Sequence, residues 1–258
     1  GVRVTDDTGL SSVQDVEIEV TLGKSWQVTE VDDARAPFCA VLDCEGRPGI
    51  FYTWNDQFVA DKLVFRRASN ALGTAWGPRH EFVDATASTQ APSTAALIVG
   101  KPALLHGINT GTENTWHFTQ SSDGIGTAWS SPINTSVQLN NSKFVSLSQV
   151  ENLPSFAHSE SFLGFFAATD NLGSAWLAPQ EVGVYARESE LAPMLGRPAI
   201  AYHVVSGSVE ALAYVSANDA KGAFWNQPVL VDAVGIAGRN PQLIEAAGRP
   251  AIAYSDPV

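Results

Sequence analysis

One short segment recurs through the chain and constrains the fold more than any other feature. Its clearest copy spans residues 121–129 and ends on a Trp. An Asp or Asn side chain can accept hydrogen bonds from the backbone that follows it, and Gly supplies a positive φ. The segment therefore predicts a turn between two strands, followed by a buried Trp. Four copies share one spacing: Asn70, Gly73 and Trp76; Asp123, Gly126 and Trp129; Asp170, Gly173 and Trp176; Asp219, Gly222 and Trp225.

The spacing of these copies predicts the architecture. A shortened fifth copy ends at Trp26, and the five Trp residues follow one another at intervals of 47 to 53 residues. A second turn, which ends in Pro before a short apolar run, recurs between them at Pro48, Pro102, Pro154, Pro198 and Pro250. One period holds four β-like runs, at 93–99, 102–108, 115–121 and 128–135, with almost no helical signal. Four short strands per repeat are typical of a β-propeller.

The two ends of the chain indicate the number of blades. Whole blades are predicted at about 37–84, 92–138, 144–184 and 189–233. The first part of the chain supplies only third and fourth runs, at 16–21 and 26–31, and the last part supplies only first and second runs. Pairing residues 14–31 with 237–258 leaves no open sheet edge between them. We therefore expect an all-β, five-bladed propeller in a single domain, 1–258. The alternative is a piece of a longer array without ring closure.

The repeated turn resembles the Asp-box, Ser-x-Asp-x-Gly-x-x-Trp, of sialidases and other secreted propellers. Here it has one extra residue before the Gly, and Asn70 replaces Asp once. The resemblance covers each turn and not the whole chain. Because the box is structural in that family, it implies a fold and no catalytic residue. Sialidases have six blades and an arginine triad, whereas three of the ten arginines here fall in the Pro-containing turn (Arg47, Arg197 and Arg249), so the resemblance does not extend to sialidase activity.

Charge excludes some partners. The formal net charge is −12, with 15 Lys and Arg against 27 Asp and Glu. An acidic surface disfavours nucleic acid and anionic membranes, whose contacts need basic side chains. No apolar run reaches the ~18 residues that would suggest a membrane span. We expect a secreted or cell-surface protein without a cofactor.

Two cysteines, Cys39 and Cys44, lie on the arms of a predicted hairpin. A disulfide between them and a pair of buried free thiols are both compatible with this placement. They are too few for a metal site. A ring of Tyr and His at the end of the second run could in principle hold a cation, but amphipathic packing explains it better and no metal is expected. Its members are Tyr52, His106, His158, Tyr202 and Tyr254.

Polar residues that break the repeat identify the candidate ligand face. Loops that follow the second and fourth runs of each blade lie on one face, where propellers usually bind ligands, and they also carry Glu188 and His203. Functional residues concentrate on such loops. The leading expectation is a non-catalytic, lectin-like propeller that binds a glycan or another extracellular ligand, with Trp54 stacking on a sugar ring. The predicted binding residues are Trp54, Asn55, Asp56, Glu160, Arg239 and Asn240.

Two alternatives remain open at this point. The first is a structural or assembly module of a surface polymer, which would self-associate. The second is a glycoside hydrolase that resembles the five-bladed arabinanases and invertases. Such an enzyme needs two carboxylates about 5–10 Å apart, and Asp56, Glu160 and Asp256 are the available set.

Overall fold

The computed structural model describes residues 2–5, 11–14, 30–31, 39–54, 62–82, 93–109, 114–138, 144–159, 162–206, 209–235 and 237–256. The regular elements in these ranges are all β-strands, and none of the described residues forms an apolar helix of membrane-spanning length. The first two strands are β1 (Val2–Thr5) and β2 (Ser11–Gln14).

Four antiparallel sheets of four strands follow along the chain, each built from consecutive strands. Blade 1 contains β3 (Cys39–Asp43), β4 (Pro48–Trp54), β5 (Lys62–Arg67) and β6 (His80–Phe82). Blade 2 contains β7 (Ser93–Ile98), β8 (Lys101–Asn109), β9 (Asn114–Gln120) and β10 (Ile133–Gln138). Blade 3 contains β11 (Val145–Val150), β12 (Leu153–Ser159), β13 (Phe162–Ala167) and β14 (Gln180–Val184). Blade 4 contains β15 (Ala186–Met194), β16 (Arg197–Ser206), β17 (Val209–Ser216) and β18 (Val229–Asp232).

The fifth blade combines strands from both ends of the chain. β19 (Arg239–Ala246) and β20 (Arg249–Ser255) pair as its first two strands, and β1 lies against β20. The prediction of an all-β, five-bladed propeller is therefore confirmed. The predicted strand at 16–21 lies outside the described residues, and so does most of the one at 26–31. The N-terminal strands that the structure describes are β1 and β2.

The first strand of each blade lies nearest its counterparts in the neighbouring blades. β7 packs beside β11, β11 beside β15, and β15 beside β19. Side-chain hydroxyls join them, since Leu147 N donates to Thr94 Oγ1 at 3.2 Å and Leu191 N donates to Ser146 Oγ at 2.9 Å. These first strands are therefore the inner wall of the propeller.

The turn before each repeated Pro is a tight hairpin. Val99 and Gly100 both have positive φ, at 51° and 71°, between the register partners Ile98 and Lys101. Positive φ at both central residues is the requirement of a type I′ turn, whose twist suits a two-residue hairpin. The equivalent pairs in the other blades are Glu45 and Gly46, Glu151 and Asn152, Leu195 and Gly196, and Ala247 and Gly248.

The Asx/Gly turn joins the third strand of a blade to the fourth. Asp123 Oδ1 accepts from the backbone N–H of Ile125 at 3.2 Å, Gly126 at 2.7 Å and Thr127 at 3.1 Å. Burial opposes ionisation of this carboxyl, but the hydrogen bonds outweigh it and lower the pKa of Asp123 to about 2. Each turn closes on an isolated bridge to its Trp, such as Ser121 with Trp129.

These turns also fasten neighbouring blades together. The ring of Trp129 packs on Phe65 of the preceding blade at 5.2 Å, and Trp225 packs on Phe165 at the same distance. Gly173, with φ of 67°, lies so close to Phe118 that an added Cβ would meet that ring at 2.5 Å. The core between two blades therefore includes the turn of the later blade and the third-strand aromatic of the earlier one.

Fourth strands begin later than the sequence predicted. The fourth run of blade 2 was expected at 128–135, whereas β10 begins at Ile133. Pro132 precedes it, and Pro179 and Pro228 precede β14 and β18 in the same way. Because Pro has no N–H to donate to a ladder, pairing starts only after it.

Of the two possibilities that the sequence left open for Cys39 and Cys44, the structure does not form the disulfide. Cys39 begins β3, and Cys44 follows its last residue, so the two lie on one arm of the hairpin. A strand rises ~3.3 Å per residue, which separates their Cα atoms by roughly twice the reach of a disulfide. Cys44 is a free, buried thiol, and burial raises its pKa to about 11.

We predict that Gly173→Ala destabilises the protein far more than Gly196→Ala. Both glycines have positive φ, but an added Cβ meets Phe118 at Gly173 and meets nothing within 4 Å at Gly196. The backbone cost is ~1 kcal/mol at either site, and the clash adds ~1–3 kcal/mol at Gly173 alone. Urea unfolding of both variants measures the difference. Equal losses would contradict the interlocking role of the turn.

Candidate active site

One face of the propeller carries the loops that follow the second and fourth strands of each blade, because successive strands are antiparallel. Much of this face lies outside the described residues, including Asn55, Asp56 and Glu160 of the predicted ligand set. In the described part, several charged side chains come together where blade 4 meets blade 5.

Glu210 on β17 is the centre of a charged cluster at this boundary. Its Oε2 accepts from Arg239 Nη2 at 3.0 Å and lies 3.1 Å from His203 Nε2. His203 is 1% exposed and Glu210 17% exposed, so solvent screens this pair only partly. The hydrogen bonds from Arg239 lower the pKa of Glu210, and the charge of that guanidinium acts in the same direction. Glu210 is therefore an ionised carboxylate with a fixed orientation.

Two further glutamates lie on the inner strand of blade 4. Glu188 accepts a hydrogen bond from the backbone N–H of Asn240, and it is the register partner of His203. Glu190 lies two residues further along β15, so both side chains leave the same side of the strand. The Cα atoms of two such residues are about 7 Å apart. Strand β15, part of the inner wall of the propeller, thus carries two glutamates one pleat apart, and their carboxyl groups contact different neighbouring blades.

The environments of these two glutamates differ. Glu190 Oε2 accepts from Ser146 Oγ of blade 3 at 3.1 Å. Burial raises the pKa of Glu190 to about 7, and the hydrogen bond from Ser146 offsets only part of this effect. A carboxyl group that remains protonated near neutral pH can donate a proton, which its ordinary counterpart cannot. Glu188 lies instead beside the cluster of Glu210, Arg239 and His203.

A buried contact on the same side fastens blade 5 to blade 4. The hydroxyl of Tyr254 donates to Asp232 Oδ2 at 2.6 Å, and Asp232 is 5% exposed. Tyr202 occupies the same repeat position in blade 4, and its hydroxyl lies against Gly183 of blade 3. Burial raises the pKa of Tyr202 to about 12. The ring of Tyr and His noted in the sequence therefore packs between blades.

The histidines of that ring are buried as well. His106 is fully buried, and among the described residues its two ring nitrogens have no hydrogen-bond partner; His158 is 3% exposed. Burial, and then the neighbouring His117, lower the pKa of His106 to about 3, while burial lowers that of His158 to about 4. Within the described ranges, no three His, Cys, Asp or Glu side chains are grouped to hold a metal ion.

The structure places the other predicted site residues as follows. Trp54 is half-buried, and the guanidinium carbon of Arg79 lies 4.3 Å from its ring centroid, so one face of the indole is already covered. Arg239 and Asn240 lie together at the start of β19, in contact with Glu210 and Glu188. Asp256 is exposed just after β20.

Sequence reasoning missed Glu190 and Glu210. Glu190 falls in a first run, which was assigned to the scaffold, but it occupies a position eight residues before the repeated Pro. The equivalent residues are Ala40, Thr94, Ser146 and Gln242. Glu190 is the one charged residue at this position of the repeat, and this difference was the signal in the sequence that could have identified it. Glu210 offered none, because its neighbours in the cluster come from other strands.

Comparison with known proteins gives similarity of fold only. No family model and no curated protein matches the sequence. A Trypanosoma rangeli sialidase in complex with sialic acid is similar with a TM-score of 0.52 and 11% identity, over 84% of this chain and 42% of that one. An endo-arabinanase of Bacillus licheniformis is similar with a TM-score of 0.47 and 11% identity, over 83% and 91%. A putative glycoside hydrolase of Parabacteroides distasonis is similar with a TM-score of 0.48 and 9% identity, over 76% and 73%.

These findings correct the leading expectation from the sequence. The similar structures are mostly named as glycoside hydrolases, and they include a sialidase and an N-acetylgalactosamine deacetylase. The expectation of a non-catalytic binding propeller was therefore wrong, and the glycoside hydrolase alternative fits the comparisons better.

We predict that stability falls as the pH is lowered from about 6.5 to about 4. An unfolded His titrates near 6.5, whereas His106 and His158 remain neutral in the fold to about 3 and 4. In this window the unfolded state binds protons that the folded state does not, which costs ~1.4 kcal/mol per pH unit for each histidine. Urea unfolding at several pH values measures the slope.

The variant His106→Leu isolates one of these groups from every other titrating residue. Its stability should change less steeply with pH than that of the wild type, by the contribution of one proton. Parallel curves for the two proteins would show that His106 is protonated in the folded state.

Proposed function

We propose that this chain is a propeller glycoside hydrolase whose catalytic carboxyl groups are Glu190 and Glu188 on the inner strand of blade 4. The observation that carries the proposal is their spacing of one pleat, in two different environments, on the side of the fold where Arg239 and His203 converge. Glycosidases place two carboxyl groups about 5–10 Å apart across the bond that they cleave.

Glu190 is the general acid in this proposal. It protonates the leaving oxygen, a role that needs a carboxyl group still protonated near neutral pH. The raised pKa of Glu190 and its hydrogen bond from Ser146 support this assignment. Glu188 is the second carboxylate, which activates water or attacks the anomeric carbon. Glu210, held by Arg239, is a positioning residue that fixes the start of β19 against blade 4.

The substrate class is a glycan outside the cell. The structures of similar fold include proteins named as glycoside hydrolases and a sialidase in complex with sialic acid, and the Asx/Gly turns resemble the Asp-box of secreted propellers. The acidic net charge of −12 favours a neutral substrate over a polyanion. In this proposal, residues 1–258 form one catalytic domain.

We predict that Glu190→Gln lowers hydrolysis of a neutral glycan by at least ~100-fold, because general acid catalysis contributes about that much. A dinitrophenyl glycoside should restore much of the rate, since this leaving group departs without protonation. Initial rates on both substrates measure the effect. Glu181→Gln, which changes an exposed carboxylate on β14, is the matched control and should retain full activity. Equal rates for Glu190→Gln and the wild type on the natural glycan would rule out Glu190 as the acid.

The pH profile gives an independent check. An acid with a pKa of about 7 predicts that kcat/KM falls as the pH rises through 7. The Glu190→Gln variant should lack this decline on the activated substrate. A decline that persists in the variant would assign it to another group.

A further inference from the structure

An open cavity of about 380 Å³ lies between blades 1 and 2. Its blade 1 wall includes Arg47, Arg67 and His80, and its blade 2 wall is the Asx/Gly turn at 125–127. These residues follow first and third strands, so the cavity opens on the face opposite to Glu188 and Glu190. It is therefore a separate site from the candidate active site.

The guanidinium group of Arg67 has a charge and hydrogen-bond donors that its structural role does not require. Its Nε donates to Cys44 O at 2.9 Å. In blade 2 the equivalent residue is Gln120, whose Nε2 donates to Ile98 O at 2.9 Å. Cys44 and Ile98 each lie four residues before the repeated Pro, so the two bonds are equivalent. A neutral amide thus suffices for this anchor. Among the described residues, the Arg67 side chain makes no other hydrogen bond and no ion pair.

Arg47 adds a second cation at the same cavity. Its Nη1 donates to Ser69 O at 2.8 Å, and this is the one hydrogen bond of the Arg47 side chain within the described ranges. Among the described residues, neither Arg47 nor Arg67 is joined to a carboxylate as an ion pair, although Asp43 and Glu45 precede Arg47 in the same turn. No Asp or Glu is among the described residues that line the cavity.

Not every basic residue at the cavity contributes its charge. Arg79 belongs to the wall, but its guanidinium lies 4.3 Å over Trp54 and 3.5 Å from Glu81. Phe65 and Pro78 supply apolar surface beside the two available guanidinium groups. The cavity therefore combines two cations with an apolar wall, in a protein whose net charge is −12.

We propose that this cavity binds the carboxylate of an acidic sugar residue, with Arg47 and Arg67 as its ligands. A guanidinium matches a carboxylate through paired N–H donors, which a lysine cannot reproduce. The volume is within the range of small-molecule sites. The acidic surface repels densely charged polymers, so a single carboxylate on an otherwise neutral glycan is the ligand class that fits. The site would hold an acidic branch or chain end, and it does not depend on the hydrolase proposal.

Binding of D-glucuronate to the full chain tests this proposal, with D-glucose as the neutral probe and inorganic sulfate as the alternative anion. We expect glucuronate to bind at millimolar concentrations in a calorimetric or NMR titration, and to weaken with added salt. Glucose should not bind at this cavity. Binding of sulfate without glucuronate, or equal binding of glucose, would overturn the assignment to a carboxylate.

Variants locate the binding and separate it from catalysis. Arg67→Gln should lose at least ~10-fold in affinity for glucuronate, because a charged hydrogen bond is removed, while the fold keeps the anchor that Gln120 makes in blade 2. Arg197→Gln is the matched control, since Arg197 is exposed at the position of Arg47 in blade 4. It should bind as the wild type does, and so should Glu190→Gln. Unchanged affinity in Arg67→Gln, or an equal loss in Arg197→Gln, would overturn the proposal.

Discussion

The contact between a turn and the aromatic residue of the preceding blade is the interaction on which this propeller depends. Three blade junctions repeat it, with ring distances of 5.2 Å for Phe65 and Trp129, 5.7 Å for Phe118 and Trp176, and 5.2 Å for Phe165 and Trp225. The Gly of each turn lets the backbone approach the ring more closely than any side chain would allow. Because the Trp, the Gly and the Asx belong to one segment, a short stretch of sequence determines both a hairpin and a junction between blades.

The candidate active site follows from the same arrangement. Once first strands pack against one another, β15 lies between β11 and β19, and its side chains meet residues from blades 3 and 5. Glu190 reaches Ser146 on one neighbour, while Glu188 reaches Asn240 on the other. Two carboxyl groups on one strand thereby obtain different surroundings. Burial raises the pKa of Glu190, and the hydrogen bond from Ser146 offsets only part of this effect.

The repeated residues made the fold predictable, and the unrepeated ones left the site largely unpredictable. Five copies of a turn at similar intervals indicated blades, their number and the use of both chain ends. Details that depend on a single residue were missed, such as the start of β10 after Pro132 and the position of Cys44 beyond the end of β3. Glu188 and Glu190 lie on β15 and Glu210 lies on β17, and the pKa values of Glu190 and Glu210 depend on burial and on partners in other blades. The spacing of residues along the chain does not indicate which side chains meet across blades. The sequence therefore contained no indication of a site at Glu210 and only a weak one at Glu190.

The contact between blades also follows the order of the chain, because the turn belongs to the later blade and the aromatic residue to the earlier one. At three junctions the turn packs on an aromatic residue of the blade that precedes it in the chain, so each of those preceding blades gains this packing partner only when its successor has been made. During synthesis, the most recently completed sheet would remain uncapped on one side until the next turn emerges. Blades 1 to 3 therefore gain this contact in the order in which they are made, whereas β1, which is made first, gains its neighbour β20 only after blade 4.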